Sequence, residues 1–265
     1  MAKVLLYLDE NLASSIALRY VDYLSSFLEL NTFILHVVYS DGKKLTRSNM
    51  DEQASIEKML RDGEATISRL LKTEKVKFGF SGPPKIRIGN RENEILRELR
   101  EGNYDLFIEG HLPISKTENL TEVVSSELYE KCPCSILYVK NLSVSRTIGI
   151  LIGDGTEPDA IAHTLGKLLK DSEMDIDLIY YNFKDVDNLE FLDSTQSEPS
   201  IETGEQIFTR HGLKISNIHN VLGTPEAMSD FLMNYAFVAS SFSPRMPLIY
   251  ETLAQTQASV LLCKK

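Results

Sequence analysis

Short apolar runs alternate along this chain with segments in which apolar residues recur every three or four positions. Residues 4–8 (VLLYL) and 33–38 (FILHVV) are such runs, and between them lies a stripe with helical spacing, made of Ile16, Tyr20, Tyr23, Leu24 and Leu28. Continuous apolar runs are typical of strands buried on both faces of a sheet. The alternation therefore predicts an α/β fold, with parallel strands covered by helices on both sides.

The same pattern occurs twice. Residues 3–40 align without a gap with residues 148–185, at an offset of 145 positions. Each copy then continues with a polar helical stretch, a strand ending in a glycine, and two further strands. We therefore expect two tandem domains, residues 1–140 and 146–265, each an open five-stranded parallel sheet. The seam is the polar segment 141–146 (NLSVSR).

Each copy closes with an apolar strand, Ser135–Val139 (SILYV) and Ser259–Cys263 (SVLLC). A strand of this composition would be a liability at an open sheet edge. We expect the two closing strands to pair antiparallel, which would join the domains as an intrachain pseudo-dimer.

Composition narrows the function classes. The 265 residues are 43% hydrophobic and 25% charged, which is ordinary for a globular protein. The net charge of -10 argues against nucleic acid and anionic lipid as partners, and it is concentrated in residues 141–265, with 9 basic and 17 acidic side chains. Three cysteines do not make a disulfide framework, and the first apolar run is too short for a signal peptide or a membrane span. These features predict a cytoplasmic protein.

Several segments occur in a fixed order in each half. In the first half they are LLYLDEN (5–11), LHVV (35–38), IGNRENEIL (88–96), YDLFIEG (104–110) and CPCSILYV (132–139); in the second half they are LIGDGT (151–156), LGTPEAM (222–228), YAFVASS (235–241) and ASVLLCK (258–264). Together they resemble the universal stress protein family, in the arrangement with two such domains fused in tandem. The resemblance covers essentially the whole chain and implies the adenine-nucleotide alpha-hydrolase-like fold.

The resemblance also implies where a nucleotide would bind. Members that bind ATP have a loop after the fourth strand with the pattern glycine, two residues, glycine, nine residues, glycine, and serine or threonine. Glycines there let backbone N–H groups approach the phosphates. The first half keeps Gly110, but Pro113 stands at the second glycine and removes a donor. Val123 and Val124 stand at the final pair, or Glu122 and Val123 if one residue is skipped.

The second half departs further from that pattern. Ser240 or Ser241 stands at the first glycine, and the loop is about seven residues shorter than in the first half. The turn Asp154-Gly155-Thr156 is retained. We expect no tight binding of a triphosphate in this half.

The candidate binding residues are Asp9, Val37 and Gly110 in the first half and Asp154, Gly155 and Thr156 in the second. For both aspartates the alternative is a turn or helix-capping role. His111, Ser115, Lys116 and Thr117 could bind a smaller anion, although a solvated loop explains them as well and we favour it.

We predict no catalytic residue and no metal site. The Cys132-Pro133-Cys134 motif could indicate redox or metal chemistry, but we interpret it as the lead-in to the closing strand. The histidines show no metal-binding or catalytic spacing.

The leading hypothesis is a non-enzymatic stress-response or regulatory protein that acts through protein partners, with weakened or lost ATP binding and no cofactor. The alternative is a sensor that binds an adenine nucleotide, ATP or AMP, in one half. An enzyme, such as an adenylyl-transfer protein or a slow ATPase, is the least supported class. The resemblance also allows a homodimer of the whole chain.

Overall fold

The structure is a computed structural model, which describes residues 1–40, 49–112, 120–186, 188–192, 200–243 and 246–265. The strands of this part of the chain are β1 (Ala2–Tyr7), β2 (Leu30–Tyr39), β3 (Lys85–Gly89), β4 (Leu106–Gly110), β5 (Ser135–Val139), β6 (Thr147–Ile152), β7 (Asp175–Phe183), β8 (Glu190–Leu192), β9 (Asn217–Gly223), β10 (Phe237–Ser241) and β11 (Ser259–Cys263).

The helices connect these strands. They are α1 (Leu12–Leu24), α2 (Asn49–Glu74), α3 (Arg91–Gly102), α4 (Leu120–Val124), α5 (Glu127–Lys131), α6 (Pro158–Leu168), α7 (Ser200–Arg210), α8 (Pro225–Leu232) and α9 (Pro247–Gln255). Side-chain caps mark the starts of several of them. The side chains of Asn90 and Thr224, for example, accept N–H bonds from the first turns of α3 and α8.

All the described strands belong to one sheet, in the order β3-β2-β1-β4-β5-β11-β10-β6-β7-β9-β8. Strands β1 to β5 and their counterparts β6, β7, β9, β10 and β11 have the same internal order, with parallel neighbours. The predicted α/β fold class is confirmed. Strand β8 was not predicted, because its three residues are all exposed and form no apolar run.

The two halves align one residue away from the offset that the sequence indicated. Leu6 of β1 lies beside Ile108, and Ile150 of β6 lies beside Ala239, with all four side chains in the same apolar layer. Ile108 and Ala239 lie in turn beside Leu137 and Leu261, which face each other where the halves meet, so β1 and β6 superpose at an offset of 144, not 145. A gapless sequence alignment matched Asp9 with Asp154, whereas the strand register matches Asp9 with Gly153. The two aspartates do not occupy equivalent positions.

The halves meet where β5 pairs antiparallel with β11, as predicted. Ile136, Leu137 and Tyr138 lie opposite Leu262, Leu261 and Val260, and every residue of both strands is buried. Each strand therefore covers an apolar edge that the other half would expose.

Two lysines reinforce this junction from opposite sides. Lys140, just after β5, donates through Nζ to the carbonyls of Leu253, Ala254 and Thr256 at the end of α9, at 2.6, 3.1 and 3.0 Å. Lys264, just after β11, donates to the carbonyls of Tyr129, Glu130 and Cys132 at the end of α5, at 2.5, 3.2 and 2.9 Å.

Carbonyls at a helix C-terminus lack partners within the helix and carry partial negative charge, so a partly buried ammonium group stabilises them. We call these contacts the lysine clasps. In each clasp the last helix of one half is capped by the chain that leaves the closing strand of the other half.

Two apolar layers cover the sheet. Helices α1, α2, α6 and α7 pack on one face, and α3, α4, α5, α8 and α9 pack on the other. Helix α1 reaches across the junction, where the hydroxyls of Tyr20 and Tyr23 donate to the carbonyls of Ala236 and Ser145 at 2.6 and 2.8 Å. Each layer is one continuous core that includes residues of both halves.

The lysine clasps predict a stability effect. Replacing Lys264 with Met should lower the free energy of unfolding by about 2 kcal/mol, because three carbonyls lose a charged donor, and Lys140→Met should act similarly. Urea denaturation measures both. Lys265→Met is the control: this side chain pairs with Glu157 at the surface, and its loss should change stability little. Equal effects of Lys264→Met and Lys265→Met would contradict the role assigned to the clasps.

Candidate functional site

The candidate residues lie at the carboxyl ends of the parallel strands. In each half the strand order changes direction between the first and fourth strands, β1 and β4 in one half and β6 and β10 in the other. In open α/β sheets the crevice at such a switch point is the usual place for a ligand.

In the first half, Asp9 is bound within its own turn. Its carboxylate accepts hydrogen bonds from the backbone N–H and the side-chain amide of Asn11, both at 2.9 Å, and from the Ser14 hydroxyl at 2.7 Å. The Asp9 N–H in turn donates to Ser14 Oγ at 2.8 Å. Both carboxylate oxygens are engaged, which is the arrangement of an aspartate that organises the start of a helix.

Gly110, at the end of β4, faces the protein interior. A Cβ at this position would lie 1.9 Å from the carbonyl oxygen of Ala13, so glycine is what allows α1 to approach β4. The next residue, His111, donates its N–H to the Val139 carbonyl at 2.8 Å, and its ring stacks on Tyr138 with centroids 4.6 Å apart. The backbone here extends the sheet.

The other first-half candidates are placed as follows. Val37 is buried in β2, beside Arg87 of β3. Val124 is buried in α4. Pro113, Ser115, Lys116 and Thr117 lie outside the described residues.

A partly buried ion pair that the sequence did not reveal lies beside this crevice. Glu109 of β4 is buried, accepts a hydrogen bond from the Tyr129 hydroxyl at 2.6 Å, and pairs with Arg91, whose guanidinium lies 4.5 Å from the centroid of the Tyr7 ring. Burial opposes the charge on Arg91, but the Glu109 carboxylate outweighs it and raises the pKa of Arg91. The cation is therefore balanced within the protein. No motif links these residues, so only the fold could bring them together.

The second half has a cavity of about 600 Å³ at the ends of β6 and β7, between α6 and α7. It is lined by Ile152, Gly153, Asp154, Gly155, Thr156, Pro158, Tyr180, Tyr181, Asn182, Gly204 and Ile207. The three second-half candidates thus lie together on one wall.

The turn before α6 shapes that wall. The Thr156 hydroxyl donates to the Gly153 carbonyl at 2.8 Å, and the Thr156 N–H donates to the same oxygen at 3.1 Å. Gly155 has φ +79, a left-handed conformation that favours glycine. Asp154 is left exposed at the tip of the turn, facing the cavity.

In the second half a serine occupies the position of the first glycine of the ATP-binding loop. The Phe242 N–H donates to the Cys263 carbonyl as His111 donates to Val139, which identifies Ser241, not Ser240, as the counterpart of Gly110. Ser241 Oγ accepts the N–H of Glu157 at 2.9 Å, at the start of α6. This N-terminal donor of α6 is therefore already bonded within the protein.

The opposite wall of the cavity is uncharged. A Cβ at Gly204 would lie 2.1 Å from the Tyr180 hydroxyl, so glycine lets this ring lie close against α7. Burial, with a smaller contribution from Glu205, raises the pKa of Tyr180 to about 12. Its phenol therefore stays neutral at physiological pH. Among the described lining residues there is no lysine or arginine, and Asp154 supplies a negative charge.

Comparison with known proteins identifies the fold. No protein-family model matches the sequence, and no match was found among curated proteins. Among solved structures, a universal stress protein from Archaeoglobus fulgidus DSM 4304 matches with a TM-score of 0.59 at 13% identity, over 100% of this chain and 96% of that chain. A protein of unknown function from Pseudomonas aeruginosa PAO1 matches with a TM-score of 0.54 at 13% identity, over 100% and 92%.

The chain therefore has the universal stress protein fold along its whole length. Within the described ranges, no helix combines the length and apolarity that a membrane crossing requires. The same ranges contain no grouping of three or more histidine, cysteine, aspartate or glutamate residues suited to a metal ion.

The packing of Gly110 predicts the outcome of substituting it. Gly110→Ala should lower the free energy of unfolding by about 3 kcal/mol, because the new methyl group would overlap the Ala13 carbonyl. Gly79→Ala is the matched control, since a Cβ there meets nothing within 4 Å. Chemical denaturation compares the two. A Gly110→Ala protein as stable as the control would show that the glycine is kept for some reason other than packing.

Proposed function

We propose that this protein is a non-enzymatic regulatory protein of the universal stress type, in which ATP binding is weakened or lost and which acts through protein partners. One observation carries the proposal: positions that would approach phosphates are occupied by contacts within the protein. The N–H of His111, directly after Gly110, donates to the Val139 carbonyl, and Ser241 bonds to the start of α6. A triphosphate would have to displace these contacts.

The proposal includes the division into domains of residues 1–140 and 146–265, joined as an intrachain pseudo-dimer. It is supported by the repeated strand order and by the junction at β5 and β11, where one lysine clasp follows each closing strand.

The grouping that most resembles catalytic machinery has a structural explanation. Asp177 accepts hydrogen bonds from Tyr235 at 3.1 Å and Asn217 at 2.8 Å, and lies 3.4 Å from His219 Nε2. The first half has a similar cluster in the same layer, where Tyr104 and Lys85 both donate to Glu98. Because each half satisfies a buried carboxylate at this place, the cluster supports packing and not catalysis.

A second candidate function is binding of an adenine nucleotide in the second half. The cavity favours it, because it lies at the carboxyl ends of the strands, where ligands bind in open α/β sheets, and the exposed Asp154 is one of its lining residues. The filled position at Ser241 and the negative charge of Asp154 disfavour additional phosphates. This candidate therefore predicts tighter binding of AMP than of ATP.

Calorimetric titration of the full chain with ATP and with AMP tests both functions. The leading proposal expects no ATP binding with a Kd below about 1 mM, which is about 4 kcal/mol of binding free energy. Micromolar binding of ATP would overturn it. Micromolar binding of AMP alone would favour the second candidate.

Two aspartate variants then assign the site. If AMP binds in the second half, Asp154→Ala should weaken it at least about tenfold, the effect of losing one hydrogen bond to a charged group. Asp159→Ala removes the same charge from α6 outside the cavity lining and should leave affinity unchanged. Asp9→Ala should also leave AMP affinity unchanged. Loss of binding in Asp9→Ala alone would move the site to the first half.

A further inference from the structure

Two thiols lie side by side next to the junction of the halves. Cys132 ends α5 in an extended conformation, with φ -58 and ψ 124, and Cys134 immediately precedes β5. Residues two apart in an extended segment project from the same face. Their Sγ atoms are 3.8 Å apart, and both side chains are buried although the intervening Pro133 is exposed.

The second half provides an internal comparison for this motif. The lysine clasps superpose Cys132 on Thr256, since Lys264 bonds the carbonyl of the first and Lys140 that of the second. By the same alignment Cys134 corresponds to Ala258. Threonine and alanine therefore suffice for this turn and for its clasp. The fold does not require either thiol, which leaves the pair to be explained by its chemistry.

The surroundings distinguish the two sulfurs. The hydrogen bond from Cys134 lowers the pKa of Cys132, and the Lys264 ammonium acts in the same direction, although burial opposes both. The same hydrogen bond, together with burial, raises the pKa of Cys134. Cys132 is thus the thiol better able to form a thiolate and to react first. Cys134 lies close enough to attack the oxidised Cys132 sulfur. Cys263 differs from Cys132, because burial raises the pKa of Cys263 to about 12.

We propose that Cys132 and Cys134 form a redox-active dithiol that a hydroperoxide oxidises to an intramolecular disulfide. The Cys132 thiolate attacks one peroxide oxygen, the O–O bond breaks, and a sulfenic acid and hydroxide form. The Cys134 sulfur then attacks the sulfenic sulfur, the S–O bond breaks, and hydroxide leaves. The two thiol protons neutralise the two hydroxides. With hydrogen peroxide, two thiols give one disulfide and two waters.

Oxidation would act on the junction through Lys264. The sulfurs must move from 3.8 Å to about 2.0 Å apart, which changes the backbone angles around Cys132. The Cys132 carbonyl is one of the three acceptors of Lys264. We therefore expect the disulfide to alter the clasp between α5 and β11 and to shift the thermal midpoint of the whole chain.

The test treats the native, fully reduced chain with hydrogen peroxide. The intact mass should fall by about 2 Da and return with a reductant, the signature of one disulfide. Trypsin releases residues 132–140 as one peptide containing both cysteines and no other, so the bond can be located directly. The Cys263 thiol should remain free. Three free thiols after treatment, or a bond that involves Cys263 or a second chain, would overturn the proposal.

Two variants complete the test, and each carries the residue found at the equivalent position of the second half. Cys132→Thr should form no disulfide and should not react faster than Cys263. Cys134→Ala should stop at the sulfenic acid, which a dimedone probe traps on Cys132. Trapping on Cys134 in Cys132→Thr, together with no trapping on Cys132 in Cys134→Ala, would overturn the assigned order. The mass and peptide measurements on the unaltered chain decide the proposal even if a variant does not fold. An unchanged thermal midpoint after oxidation would overturn the link to the clasp.

Discussion

The antiparallel contact between β5 and β11 is the interaction on which the rest of this molecule depends. It turns two separate sheets into one and buries two apolar edges at once. It also sets the distance over which the other cross-junction contacts can form. Helix α1 can reach Ala236 and Ser145, and each clasp lysine can reach the opposite helix, only because the strands between them are in register.

The two halves share this architecture, but the partners of one buried tyrosine come from different elements in each half. In the first half an aromatic ring from the strand, Phe33, packs on Tyr104, and a carboxylate from the helix, Glu98, accepts the tyrosine hydroxyl. In the second half the strand supplies the carboxylate, Asp177, and the helix supplies the ring, Phe231, against Tyr235. A buried tyrosine needs one partner of each kind, and the fold fixes where they are needed but not which element provides them.

The sequence predicted the strands well, because a continuous apolar run is a direct record of burial on both faces; the two closing strands have the predicted bounds. The site was harder. Gly110 contacts Ala13, which lies in a helix almost 100 positions away in the sequence. The strand register, and not the local sequence, shifts Asp9 and Asp154 by one residue relative to each other when the halves are superposed. The pairing of Arg91 with Glu109 follows no local spacing. These are properties of packing, which a pattern along one chain does not record.

The joining of the two halves also covers the sheet edges that could pair with another chain. A lone domain of this type would present its closing strand to an identical copy, and such a two-fold contact stops growth at two chains. In this chain the two closing strands pair with each other. Among the described strands the two outermost are dissimilar: β3 carries Lys85 and Arg87, and β8 carries the exposed Phe191. A contact between unlike borders has no two-fold symmetry, so it would build a ring or an open, directional array and not a two-fold pair.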